Sequence, residues 1–310
     1  MSSRIVYVES AGHLTPFSKG ILAQSLTAAG IDEMSAHEIA RSIEADLLRE
    51  GRAKVRRTEI RERARSYLER LIGKEGAEMY LTWRQVQHGR EPMVILLSGA
   101  TGVGKSTVAA QLAHRLGIMH VIGTDAIREV MRKIISKELM PTLHLSSYTS
   151  WKGVKIPGAS VEERTIAGFE EHAKYVLVGV EAVIERALRE GVSLIIEGVH
   201  IVPGFLKRDI ISKSNVVLVV ITAKNEEEHL SRMYARSESV VTKRPVESYL
   251  REFQKIRAIQ NYLVKRAEQQ GTLIIENHTV EQTVDDVFDE VMKRARQIVF
   301  GKRESSPEGL

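Results

Sequence analysis

The chain has 310 residues, 43% of them hydrophobic, which exceeds one ordinary domain and predicts two globular units with a sizeable core. It has no cysteine, so disulfides, thiol nucleophiles and thiolate zinc sites are excluded. Its 45 basic and 40 acidic side chains are spread without a concentrated stripe, no apolar run is long enough to span a bilayer, and no basic-then-apolar leader opens it, so a soluble, cytoplasmic protein without nucleic-acid or membrane partners is expected.

In chain order, Arg4 to Glu9 read as a short strand, Thr15-Pro16-Phe17-Ser18 as a turn, and helical patterns cover 18–29, 35–51 and 58–72. Ser35 with Glu38 fits a capping box, Gly51 a helix stop and Thr58 a cap for the third helix. These predict a small, mostly helical first unit over residues 1–90. The polar run Gln87 to Pro92 marks the boundary, and a second unit follows over 91–300.

Met93 to Leu97 carry no charge and read as a buried strand. The next residues, Gly99-Ala100-Thr101-Gly102-Val103-Gly104-Lys105-Ser106, match G-x-x-x-x-G-K-[ST], and Val108 to Leu116 have helical spacing. Glycines let several backbone N–H groups converge on one anion, and the following helix adds its positive end. Lys105 is placed to reach the terminal phosphates, Ser106 to ligate Mg²⁺ and Thr107 to touch an inner phosphate. ATP and Mg²⁺ are the expected cofactors.

His120 to Gly123 read as a second strand, followed by Thr124, Asp125 and a helix over Ala126 to Lys137. Asp125 is a candidate to orient or deprotonate an acceptor hydroxyl, Arg128 to grip an acidic group on the acceptor, and Arg132 is a weaker one; a helix cap and solvated arginines are the alternative. Residues 139–160 are an irregular insertion in which Trp151 and Lys152 could cover the acceptor, and 162–190 form a helix ended by Gly191. Glu197 closes the strand Leu194 to Glu197, where it could hold a water on Mg²⁺ or rival Asp125 as base. His200 could bind an acceptor oxygen or simply pack. Val216 to Thr222 and Thr272 to Glu276 complete the strands. Between them Arg232 and Arg236, with Lys243 and Arg244 beyond, read as an arginine lid or as solvated charges. The tail 301–310 is polar and expected to be disordered.

The βα alternation predicts an α/β P-loop NTPase fold: a parallel five-stranded sheet flanked by helices, with all carboxyl ends on one edge. GATGVGKST, GTDAIREVMR, IIEGVHIVPG and the arginine-bearing segment, preceded by TPFSKGIL and VRRTEIRERARSYL, together resemble the archaeal 2-phosphoglycerate kinase family. That resemblance implies a P-loop kinase with an amino-terminal ATP-cone, moving the ATP γ-phosphoryl to the C3 hydroxyl of 2-phosphoglycerate to give 2,3-diphosphoglycerate, the precursor of its cyclic form. Lys105 and Ser106 match the family's loop. Where cones open with a basic Val-x-Lys-Arg-x-Gly hairpin, this chain reads Val6-Tyr7-Val8-Glu9-Ser10, which leaves the first unit an architectural role unless Arg52, Lys54, Arg56 and Arg57 substitute. Another small acceptor, a non-catalytic ATP-dependent regulator and a homo-oligomer stay open.

Overall fold

Strand Tyr7–Ser10 (β1) turns back onto His13–Pro16 (β2), pairing Tyr7 with Pro16, and takes Lys54–Arg56 (β3) in parallel on its other side. The computed structural model describes residues 5–10, 12–27, 30–88, 91–238 and 250–304. By internal packing the chain divides into one unit of Met1–Gly89, His114–Gly117 and Ala295–Leu310 and another of Arg90–Ala113 and Ile118–Arg294. Neither β2 nor β3 was expected: β2 is exposed throughout and β3 buries only Val55, so neither carries a clear apolar alternation. Thr15-Pro16 end a strand instead of opening a turn.

Helices Lys19–Thr27 (α1), Glu33–Arg49 (α2) and Arg57–His88 (α3) follow in the same unit. Helix α2 buries Ala36, Ile39, Ala40, Ile43 and Leu47, the three-and-four spacing of one helical face. Its cap is Asp32, whose Oδ1 accepts from the Ser35 N–H at 2.9 Å, so Ser35 lies inside the helix and not at its boundary. The third helix does not stop at residue 72: Gly73 breaks it at φ 79°, and it resumes to His88, burying Ala77, Tyr80, Trp83 and Val86. Trp83 Nε1 and Gln87 Nε2 both donate to the Leu116 carbonyl, at 3.2 and 3.1 Å. Arg52 pairs with Glu59 and Arg63 with Glu50, so part of the basic sequence here is neutralised locally.

In the second unit Val94–Ser98 (β4), His120–Gly123 (β5), Leu194–Glu197 (β6), Val216–Thr222 (β7) and Leu273–Glu276 (β8) form one parallel sheet, ordered β5-β6-β4-β7-β8. The central strands bury almost every residue, as a sheet covered on both faces requires. The connecting helices are Lys105–Leu116 (α4), Thr124–Ile134 (α5), Val161–Glu190 (α6), Arg208–Ile211 (α7), Glu226–Glu238 (α8) and Phe253–Gln270 (α9), and Val280–Glu304 (α10) follows the last strand. Val176, Val180, Ile184 and Ala187 of α6 pack on Val94, Leu96, Leu194, Ile196 and Val216 of the sheet. Each such fully buried aliphatic side chain contributes roughly 1.5–3 kcal/mol.

Helix α5 starts at Thr124, two residues before the expected Ala126, and ends at Ile134. The insertion 139–160 holds two single 3₁₀ turns, Pro141–His144 and Ser150–Gly153. Ser160 and Glu163 form a reciprocal capping box that starts α6, and Gly191 closes it. Residues 301–304, placed in the polar tail on sequence grounds, continue α10; residues 305–310 lie outside the described residues. Among the described residues no helix is long and apolar enough to cross a membrane.

Candidate active site

Register brings the carboxyl ends of three strands side by side: Leu97 of β4 pairs with Glu197 of β6, and Glu197 with Gly123 of β5. The loop Gly99 to Gly104 leaves β4 there and feeds the amino end of α4, so Lys105, Ser106 and Thr107 open that helix. Backbone N–H groups at a helix start are unpaired within the helix and complement negative charge. Gly104 has φ 94° and Asn277 packs against it so closely that a side chain would displace the asparagine.

Two side chains hold this loop from outside. Asn277 Nδ2 donates to the Val103 carbonyl at 2.8 Å, and His229 Nε2 donates to the Thr101 carbonyl at 2.7 Å. Burial pushes the His229 pKa down to about 4, which keeps the ring neutral beside Arg257, Lys105 and Arg232. Lys105, itself buried, donates from Nζ to the Ala100 carbonyl at 2.7 Å. Ser106 Oγ donates to Glu197 Oε1 at 2.9 Å.

A pocket opens over this edge, lined by Thr101, Lys105, Ser106, Thr124, Asp125, Arg128, Ser146, Ser147, Tyr148, Glu197, Gly198 and Val199. The Asp125 side chain is 62% exposed and lies 3.6 Å from Arg128, whose own side chain is only 5% exposed. Asp125 is not the helix cap: that position is Gly123, and the aspartate lies in the first turn of α5. Arg128 is fixed by Glu129 at 2.9 Å and by the Leu145 carbonyl at 3.3 Å, and its Nε is buried without a hydrogen-bond partner. Its guanidinium lines the pocket beside Asp125, so the two place a cation and a carboxylate on one wall.

Several expected site residues lie elsewhere. His200 is fully buried behind Thr124, with Nδ1 2.7 Å from Thr124 Oγ1 and Nε2 2.8 Å from His172 Nε2, so it lines no acceptor surface. Arg132 points along α5 to Glu129 at 3.0 Å and does not line the pocket. Arg232 donates from Nη2 to the carbonyls of Asn277 and, at 3.1 Å, His278, just past β8, its Nη1 is buried without a hydrogen-bond partner, and it does not line the pocket. The side chain of Arg236, and Lys243 and Arg244, lie outside the described residues. Trp151 is ringed by Lys152, Arg164 and Lys255 at 5.6, 5.9 and 5.2 Å and its backbone packs on Gly168 of α6; it does not line the pocket.

Residues 95–253 match the AAA domain family. The 2-phosphoglycerate kinase of Methanopyrus kandleri is 42% identical, over 98% of this chain and 91% of its own. That of Methanocaldococcus jannaschii is 45% identical, over 95% of this chain and 93% of its own. The chain belongs to the 2-phosphoglycerate kinase family. Among solved structures, a gluconokinase from Sinorhizobium meliloti 1021 is 17% identical, over 69% of this chain and 99% of its own, with a TM-score of 0.38.

In this member of the 2-phosphoglycerate kinase family, the supports of the site carried the weakest sequence signal. Asn277 follows the last strand by one residue, His229 lies inside a polar helix and His172 inside an amphipathic one. Their partners are 28 to 174 residues away in the chain, so spacing could not reveal them.

Proposed function

We propose that the protein transfers the γ-phosphoryl group of ATP to the C3 hydroxyl of 2-phosphoglycerate, giving 2,3-diphosphoglycerate, the precursor of its cyclic form, and ADP. One observation carries this reading beyond sequence likeness. Lys105 and Ser106 of the phosphate loop and Glu197 at the end of β6 share one pocket with Asp125 and Arg128, a carboxylate and a cation suited to a hydroxyl-bearing anion.

The backbone N–H groups of residues 99–104 and the start of α4 receive the phosphates, and Lys105 exchanges the Ala100 carbonyl for phosphate oxygens. Ser106 and Glu197 present a hydroxyl and a carboxylate 2.9 Å apart, an all-oxygen pair that fits Mg²⁺, which takes its other ligands from nucleotide and water. A Mg²⁺ ion held there would supply positive charge against the phosphate oxygens. Arg128 binds the phosphate or carboxylate of the acceptor, and Asp125 orients the C3 hydroxyl. As the new O–P bond forms and the bond to the ADP leaving oxygen breaks, the hydroxyl proton passes to a carboxylate, Asp125 or Glu197.

Release of ADP from ATP on adding 2-phosphoglycerate, compared with 3-phosphoglycerate and water, tests the acceptor; equal rates with all three would refute it. Asp125→Asn and Glu197→Gln should each lower turnover by roughly 10²- to 10⁴-fold while changing ATP affinity far less. Full activity in either variant removes that carboxylate from the reaction.

A further inference from the structure

Behind the pocket wall runs a row of buried hydrogen bonds that crosses four elements. Thr124 Oγ1 at the start of α5 meets His200 Nδ1 at 2.7 Å, on the segment after β6. His200 Nε2 meets His172 Nε2 of α6 at 2.8 Å, and His172 Nδ1 meets the Thr142 carbonyl of the insertion at 2.7 Å. Both imidazoles and Thr142 are wholly buried and Thr124 nearly so.

The direction of this row follows from its last member. A carbonyl oxygen only accepts, so His172 Nδ1 carries a proton. Two N–H groups cannot face each other at the His172–His200 contact, so only one of the two Nε2 atoms is protonated. Burial holds both rings neutral: the His172 pKa falls to about 4, and that of His200 lies well below its ordinary value, lowered further by His172, Arg128 and Lys105. With one proton per ring, His200 donates from Nε2 and accepts at Nδ1, and Thr124 must be the donor to it.

Thr124 therefore has no proton left for the pocket that it lines. Its oxygen retains lone pairs, and among the described residues His200 is its only hydrogen-bond partner. Gly198 lies flat on the same side chain, with space for no Cβ, so the threonine cannot rotate toward that wall. A hydroxyl in this state accepts from a ligand and cannot donate to one. It repels a bare phosphate or carboxylate oxygen and attracts an O–H.

We infer that Thr124 is a positioning residue that accepts the hydrogen bond of the substrate's attacking hydroxyl, its acceptor-only sense being imposed by the row through His200 and His172. The inference rests on the kinase reading above and deepens it: Arg128 takes an anionic group of the acceptor, whereas Thr124, beside Asp125, selects the alcohol to be phosphorylated. No proton leaves the row in the reaction.

The test combines a substitution with a spectrum. Thr124→Val keeps the shape and removes the oxygen; kcat/KM for 2-phosphoglycerate should fall roughly 10- to 100-fold, while KM for ATP changes far less. Thr124→Ser should stay within about threefold of the parent protein. In the unaltered protein labelled with ¹⁵N-histidine, His200 should show an unprotonated Nδ1 and a protonated Nε2 at neutral pH. A proton on His200 Nδ1 overturns the inference even if Thr124→Val fails to fold, as does acceptor turnover undiminished in Thr124→Val. An unaltered protein that transfers phosphate to no alcohol overturns the kinase reading and this inference with it.

Discussion

Asn277 holds the phosphate loop by donating from Nδ2 to the Val103 carbonyl, and its Oδ1 lies 3.0 Å from the Thr283 hydroxyl, whose one proton is shared with the Thr279 carbonyl at 2.9 Å. Both ends of the amide are specified, so a carboxylate of the same shape cannot replace it. Asn277→Asp would face the Val103 carbonyl with an acceptor and leave both groups buried, at a cost of roughly 1–3 kcal/mol. We expect a fall in the urea midpoint and a several-fold rise in KM for ATP, read by denaturation and initial-rate titration; an unchanged KM would mean that the loop needs no such brace. Much of the pocket lining at this scale was legible: Lys105, Ser106, Asp125, Arg128 and Glu197 lie at the ends of recognisable strands or near the starts of helices, where adjacent sequence dictates position. The surroundings of His200 and Arg232 were not legible, because they depend on what covers these residues, and a histidine or arginine reads the same in sequence whether buried or free.

Among the elements, the turn that follows β6 is tightly packed against α5. Gly198 donates its N–H to the Leu97 carbonyl at 3.0 Å, and a Cβ there would sit 2.8 Å from Thr124 Cβ. Gly198→Ala must push α5 away from β6, costing roughly 1–3 kcal/mol by overpacking. Because Thr124, Asp125 and Arg128 ride on α5, acceptor turnover should fall more than tenfold while ATP binding changes little, a split seen by comparing the two KM values and kcat. Retained acceptor turnover would show that α5 is not tied to the loop by this contact. The buried strands and long helices of the second unit were readable from apolar runs and three-and-four spacing. The hairpin and β3 in the first unit were not, since short exposed strands are defined by their partners and not by their own pattern.

For the molecule as a whole, three histidines are folded into the second unit without charge. His172 and His229 have pKa values lowered by burial from 6.5 to about 4, and that of His200 is held well below its ordinary value by burial and its neighbours. Above the unfolded value neither state is protonated and the full stability is present. As pH falls from 6.5 toward about 4 the unfolded chain binds protons that the folded chain refuses, so stability falls. Each histidine contributes about 1.4 kcal/mol per pH unit to that slope. Melting temperatures should drop steeply between neutral pH and about pH 5, and His229→Gln should flatten the drop. A melting curve indifferent to pH over that window would contradict the burial.

The amino-acid sequence by itself determined the phosphate loop, the parallel α/β sheet and the edge at which chemistry occurs, because each follows from neighbours in the chain: glycine spacing, apolar runs and the ends of strands. Only the tertiary structure decided which charges face the pocket, which are spent on carbonyls, and that two histidines set the sense of a threonine. Those outcomes depend on desolvation and on partners distant in sequence, and neither is encoded in local spacing.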